Sequence, residues 1–182
     1  VDLSLEMLQQ WQRPKNILAL QADFEKLPFK EESFDLIISS FSLQWLEENL
    51  SLNFSRFFSL LKPGGIFAFC LPAHGSLEEL RAAKIFDFNQ LPNSRELRTT
   101  LEKCRFEERF FTELTFKQDF SSGLEALKSL KKIGANHLQG SRKPLTKKHL
   151  KEFESFCLKN SDSLTKNFAL SWVVPFFIFT KK

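Results

Sequence analysis

Tyrosine is absent from this 182-residue chain, methionine occurs once and cysteine three times. The first absence removes a phenol as general base within the segment. Cys70, Cys104 and Cys157 lie far apart, with no CxxC or Cys/His spacing, so no metal site is expected. Their odd number argues against a disulfide framework and fits a reducing cytoplasm. No apolar run reaches the length of a membrane span. The longest candidate, 172–179, is broken by Pro175 and suits a strand. There is no Walker-type lysine loop, which argues against a triphosphate ligand. There is also no internal repeat or low-complexity linker, so one domain over 1–182 is expected.

What is present is ordinary in bulk. Hydrophobic residues make up 42% and charged residues 26%, as in globular chains long enough to bury a core. Phenylalanine is the exception, with 22 copies. The formal charge is +4, with basic residues concentrated over 128–151. A solvated face or an acidic protein partner accounts for that better than nucleic acid. No aromatic-interleaved basic motif accompanies it.

Two kinds of segment alternate in the first half. A helix is expected over 4–13, with Leu5, Leu8 and Trp11 on one face and Pro14 as its stop. Short apolar strands are expected at 16–21, 34–40 and 66–71, and a helix over 50–61. The Lys-Pro-Gly-Gly run at 62–65 should end that helix. Strands that are apolar throughout suit a parallel sheet covered on both faces. In the second half, helices are expected over 76–86 and 94–103 and an extended segment over 106–117. A capping box, Ser122-x-x-Glu125, opens another helix, Thr146 caps the next, and 167–181 closes as a long strand.

The strand ends carry the chemistry. Val1-Asp2-Leu3 looks like a strand end running into a helix. In doubly wound proteins such a carboxylate takes the ribose diol of a nucleotide. Asp2 is equally suited to cap the helix, as is Ser4. That ribose strand is the second of its architecture, so a first strand and a glycine-rich turn are expected before Val1. Asp23 can accept from an adenine amine or close a local turn. The Phe24 N–H can donate to a ring nitrogen, and Met7 and Phe24 can pack on the ring faces. Asp2 and Asp23 on successive strand ends, with Lys-Pro-Gly-Gly downstream, favour an adenosine carrying positive charge rather than polyphosphate.

VDLSLEML at 1–8, ADFEKLPF at 22–29, FDLIISSFSLQWL at 34–46 and LLKPGGIFAF at 60–69 resemble, in order and spacing, the later motifs of class I S-adenosylmethionine-dependent methyltransferases. SFSLQW at 40–45, GSLEELRAA at 75–83 and SLKKIGANHL at 129–138 are similar to the malonyl-acyl-carrier-protein O-methyltransferases of biotin biosynthesis. The resemblance implies an α/β, Rossmann-like sheet, mostly parallel with an antiparallel last strand, seen here without its first strand. The single domain would then be N-terminally incomplete. It implies S-adenosyl-L-methionine as cofactor, at Asp2, Leu3, Met7, Asp23, Phe24 and Ser40. Ser40 stands where the family commonly has Asn. The family's glycine-rich loop is not among these residues.

For the acceptor, the resemblance implies malonyl-acyl carrier protein or malonyl-CoA, in the cytoplasm, without nucleic acid or membrane. A carboxylate acceptor titrates near about 3–4 and is already ionised at neutral pH, so no general base is expected. Arg142 is the candidate bidentate partner for the acceptor, with His137 near it in sequence. Gln44 and Trp45 stand where the acceptor should enter. Trp45 could equally be a packing aromatic. Lys131, Lys132, Arg142, Lys143, Lys147 and Lys148 could steer an acidic carrier. Two other readings remain: a methyltransferase of the same fold with another acceptor, and a remnant that no longer binds the cofactor. A dinucleotide dehydrogenase shares the Asp2 feature but leaves Asp23 and SLKKIGANHL unexplained.

Overall fold

The computed structural model describes residues 1–10, 14–46, 50–84, 90–132 and 146–182. The chain opens with Asp2, whose Oδ1 accepts the Ser4 N–H at 2.8 Å, and with helix α1, Leu5–Gln10. The Ser4 hydroxyl in turn accepts the Met7 N–H at 3.3 Å, so both short polar residues cap the helix. The strand expected over 16–21 reduces to one residue. Gln21 forms a parallel bridge with Asp2, through Asp2 N–H to Leu20 O (3.2 Å) and Ala22 N–H to Asp2 O (3.1 Å).

Among the described residues the sheet has four strands: β1 (Phe34–Ser40), β2 (Leu61–Cys70), β3 (Phe106–Phe120) and β4 (Phe168–Lys181). Their order is β1-β2-β4-β3. β1 and β2 run parallel, and β4 is antiparallel to both β2 and β3. Helix α2, Leu50–Leu60, makes the crossover from β1 to β2. The Lys-Pro-Gly-Gly run differs from expectation, because β2 begins directly at Leu61 and includes it. Phe34 pairs with Leu61, but Leu36 already pairs with Ile66. Residues 62–65 therefore face the single residue Asp35 across an irregular register. Pro63 has no N–H to give, and Gly64 sits at φ +75°, where a side chain would be strained.

After β2 the described residues include helices α3 (Glu78–Ala83), α4 (Ser94–Lys103), α5 (Gly123–Lys132) and α6 (Lys147–Lys159). The Ser122 hydroxyl accepts the Glu125 N–H at 3.2 Å as expected. The Glu125 carboxylate turns instead to Ser121, taking its N–H at 2.9 Å and its hydroxyl at 2.6 Å. Those bonds hold the carboxyl below the usual range. At α6 the box is complete, between Thr146 and His149.

Two apolar clusters form. The larger lies under α2 and α4 and includes Phe54, Phe57, Phe67, Phe69, Phe106, Phe177 and Phe179. The second joins α3, α5 and α6 to Phe120, Phe168 and Leu170. Strand alternation places Phe177 and Phe179 on one face of β4 and Phe168 and Leu170 on the other. β4 leaves β2 at the Cys70–Phe176 pair, whereas its pairing with β3 continues to Phe120–Phe168. The β3–β4 ribbon and its three helices thus overhang the carboxyl edge of β1 and β2. Burial desolvates the Cys157 thiol in the second cluster and pushes it up to about 12.

Candidate functional site

The residues singled out by sequence fall into two groups: Asp2 and Asp23 beside an isolated bridge, and Ser40, Gln44 and Trp45 at the carboxyl end of β1. The Asp2–Gln21 bridge sets two strand ends side by side, and Asp23 follows one residue after Ala22. Gln21 adds a side-chain bond, Nε2 to Leu3 O at 3.1 Å. Asp23 caps a short 3-10 turn, Phe24–Lys26, through Oδ1 and the Glu25 N–H at 2.9 Å. That turn is fastened to α2: Asn53 donates to Glu25 Oε1 at 3.3 Å, and the Arg56 guanidinium donates to Glu25 O. Both carboxylates therefore spend one oxygen on local backbone. Their Oδ2 atoms have no partner among the described residues.

The side chains flanking them divide. Leu3 and Met7 are exposed. Phe24 is half-buried and packs against the larger core cluster. Its ring thus fixes the turn that carries Asp23, a role sequence did not suggest.

β1 ends at Ser40, whose hydroxyl lies 3.6 Å from the Cys70 sulfur at the end of β2. Phe41 turns the chain at φ +52°, and Gln44 closes the turn by donating Nε2 to Phe41 O at 2.7 Å. Gln44 Oε1 is buried and has no partner among the described residues. An orphaned acceptor of that kind costs free energy until a donor reaches it. Trp45 lies on the same turn and is partly exposed. His137 and Arg142 lie outside the described residues, as do Lys143 and the side chains of Lys131 and Lys132. Lys147 and Lys148 are exposed in the first turn of α6.

Sequence reasoning missed Ser76 and Glu79. The Ser76 hydroxyl accepts the Val173 N–H at 2.9 Å and donates to Val173 O at 3.1 Å. Glu79 accepts the Ser171 N–H at 3.1 Å and its hydroxyl at 2.5 Å. These four bonds pin the segment that follows β2 onto β4, at the rim of the carboxyl edge. The sequence signal for both is the Gly-Ser-Leu-Glu-Glu run at 75–79, which the family resemblance marks but no local pattern explains. Behind the edge, a groove of about 480 Å³ runs over Ile38, Ala68, Cys70, Phe110, Leu114 and Ile178.

Comparison with known proteins bears on what this edge does. A model described as a methyltransferase domain matches residues 1–69. The malonyl-acyl-carrier-protein O-methyltransferase of Enterobacter lignolyticus is 35% identical over 162 residues, 85% of this chain and 63% of that protein. The protein of the same name from Pseudescherichia vulneris is 31% identical over 179 residues, 96% of this chain and 71% of the relative. The chain belongs to the malonyl-acyl-carrier-protein O-methyltransferase family. It spans 63% of the length of the Enterobacter member and 56% of the Buchnera aphidicola member. The chain's fold is similar to that of a putative methyltransferase of known structure from Bacillus halodurans, with a TM-score of 0.66 at 14% identity, over 99% of this chain and 80% of the other. Asp2, Asp23 and Ser40 all fall within the segment that the methyltransferase model matches.

Proposed function

We propose that this chain methylates the free carboxylate of a malonyl thioester carried on acyl carrier protein, an early step of biotin synthesis, with S-adenosyl-L-methionine as the methyl donor. The observation that carries the reading is similarity to proteins of that name along 96% of the chain. The geometry agrees with a nucleoside at the carboxyl edge, where open α/β sheets hold ligands. Asp2 and Asp23 stand beside one bridge, each with one carboxylate oxygen that has no partner among the described residues. Asp2 would accept from the ribose hydroxyls and Asp23 from the adenine amine, with Leu3 and Met7 following Asp2 in the chain and Ser40 contributing from the end of β1.

The bound cofactor supplies an electrophilic methyl on a sulfonium. The chain's own work is placement. The acceptor carboxylate is ionised at neutral pH, so its oxygen needs alignment and shielding from water, and no proton transfer. Gln44 and Trp45 sit at the end of β1, on the acceptor side, and Gln44 Oε1 offers an acceptor to an N–H of the incoming substrate. Arg142 and His137 would hold the carboxylate. Exposed Lys147 and Lys148 would attract an acidic carrier. Malonyl-CoA would be the smaller alternative substrate, and the cytoplasm the setting.

Calorimetric titration with S-adenosylhomocysteine and a mass-spectrometric assay of malonyl-acyl carrier protein test the two halves separately. Saturable binding is expected. Asp2→Asn and Asp23→Asn should each weaken it roughly tenfold, since a charged acceptor is lost. Absence of binding would defeat the cofactor assignment. Binding without methyl transfer to the malonyl thioester would defeat the acceptor.

A further inference from the structure

A second groove, of about 690 Å³, opens at the opposite edge of the sheet. Its walls are Glu32, Phe58, Pro63, Arg105, Phe106, Lys181 and Lys182. Glu32 lies just before β1, Pro63 at the start of β2, Arg105 just before β3, and Lys181 at the end of antiparallel β4. All belong to the amino edge of the parallel pair. β1 has seven residues, so at about 3.3 Å per residue this groove lies about 20 Å from Ser40.

Its charges are not balanced. Three cations meet one carboxylate on its walls. Lys181 is 8% exposed, and its ammonium donates to Leu61 O at 2.7 Å and to Glu32 Oε1 at 3.3 Å. That ammonium is 4.9 Å from the centre of the Phe58 ring. The Arg105 guanidinium is 5.1 Å from the same ring and makes no ion pair among the described residues. Lys182 reaches Glu107 only at 3.9 Å, and Glu107 is also held by Arg109 at 3.2 Å. Glu32 and Arg105 both hold left-handed backbone, at φ +53° and +69°. Such geometry costs free energy in residues with a side chain. Here it turns one acid and one base toward a common space.

We propose that this groove binds the phosphate group of an anionic small molecule, at a site separate from the methyl-transfer edge. The buried Lys181 ammonium, the Arg105 guanidinium fork and Lys182 approach from the ends of two strands, β3 and β4. A tetrahedral dianion offers acceptor oxygens to all three, whereas a single carboxylate satisfies one fork. Phe58, Phe106 and Pro63 supply an apolar wall that lowers the local dielectric and strengthens the pairing. The body of the ligand would lie on that wall.

Amide chemical shifts of the isotope-labelled chain, followed at constant ionic strength, test this with inorganic phosphate, pyrophosphate, malonate and chloride. Phosphate and pyrophosphate should give saturable shifts centred on Glu32, Arg105, Phe106 and Lys182. Arg105→Ala should weaken both roughly tenfold, because a charge-assisted bond is lost, and Arg105→Lys should fall between. Arg105 is exposed, so both variants should keep the wild-type spectrum elsewhere. S-adenosylhomocysteine binding should be unchanged in both. Unsaturable shifts matched by chloride would overturn the site. So would equal phosphate affinity in Arg105→Ala. Malonate binding tighter than phosphate would overturn the phosphate assignment.

Discussion

The two faces of this sheet are made from the same strands and meet different fates. On one face, Phe54, Phe67, Phe69, Phe177 and Phe179 stack in a nearly dry layer under α2 and α4. Phe67 and Phe69 lie 4.8 Å apart, and Phe69 and Phe177 lie 4.6 Å apart, both as stacked rings. On the other face, the same length of β1 and β2 shows Ile38 70% exposed, with Leu36 and Ile66 also open. Only farther along, past the end of β2, do α3, α5 and α6 cover that second face. A strand such as FDLIISS carries apolar side chains in both directions, which in a parallel sheet signals cover on both sides. Among the described residues, β1 has cover on one side only, and none of its seven residues is buried.

The sharpest test of the contrast is a large-to-small change under α2. Phe67 is fully buried and lies 5.3 Å from Phe57, 5.7 Å from Phe106 and 4.8 Å from Phe69, ring centre to ring centre. Phe67→Ala leaves a cavity among rigid rings that cannot collapse into it. The expected cost is about 3–5 kcal/mol in urea denaturation, a large share of a domain's usual margin. A loss below about 1 kcal/mol would mean the phenylalanine layer is loosely packed, and the contrast between faces would fail.

An intermediate effect is expected where the second face begins to be covered. Ser76→Ala removes both bonds to Val173 and leaves a partly buried strand N–H without its acceptor. The expected loss is about 1–3 kcal/mol, together with faster hydrogen exchange at Val173. Unchanged exchange would show that the loop after β2 is held by packing alone. The tether would then have no part in shaping the carboxyl edge.

Much of this was legible in sequence because local signals and tertiary demands coincide. β1, α4 and β4 fall where apolar period, caps and turn residues placed them, and Thr146 caps α6 as its side chain requires. The Asp2–Asp23 neighbourhood was legible because each Asp follows a short apolar run, and the two runs meet at one bridge. Other features depended on partners remote in sequence. NILALQ at 16–21 looked like a full strand, yet only Gln21 finds a ladder partner, since pairing depends on a neighbour strand and not on apolar content. Lys-Pro-Gly-Gly looked like a helix stop, and register with β1 turned it into an irregular strand start. Glu125 chose Ser121 over Ser122, a difference of one residue that only the geometry of the turn decides. Ser76 and Glu79 act through residues of β4 more than ninety positions away, beyond the reach of any local pattern.

The smallest expected effect lies on the open face, at Ile38. Ile38→Thr keeps the β-branched shape that suits a strand and exchanges a methyl-bearing arm for a hydroxyl. At a position 70% exposed there is little buried area to lose and no cavity to leave. The stability change in urea should stay within about 0.5 kcal/mol, and solubility should rise as the apolar patch shrinks. The same change at Phe67 or Phe177 would be ruinous, so the pair of measurements weighs one face against the other within one sheet. A loss above about 1.5 kcal/mol at Ile38 would show that this face is covered in solution. The groove over Ile38, Ala68 and Cys70 would then be an occupied interface, and the two faces would be equals after all.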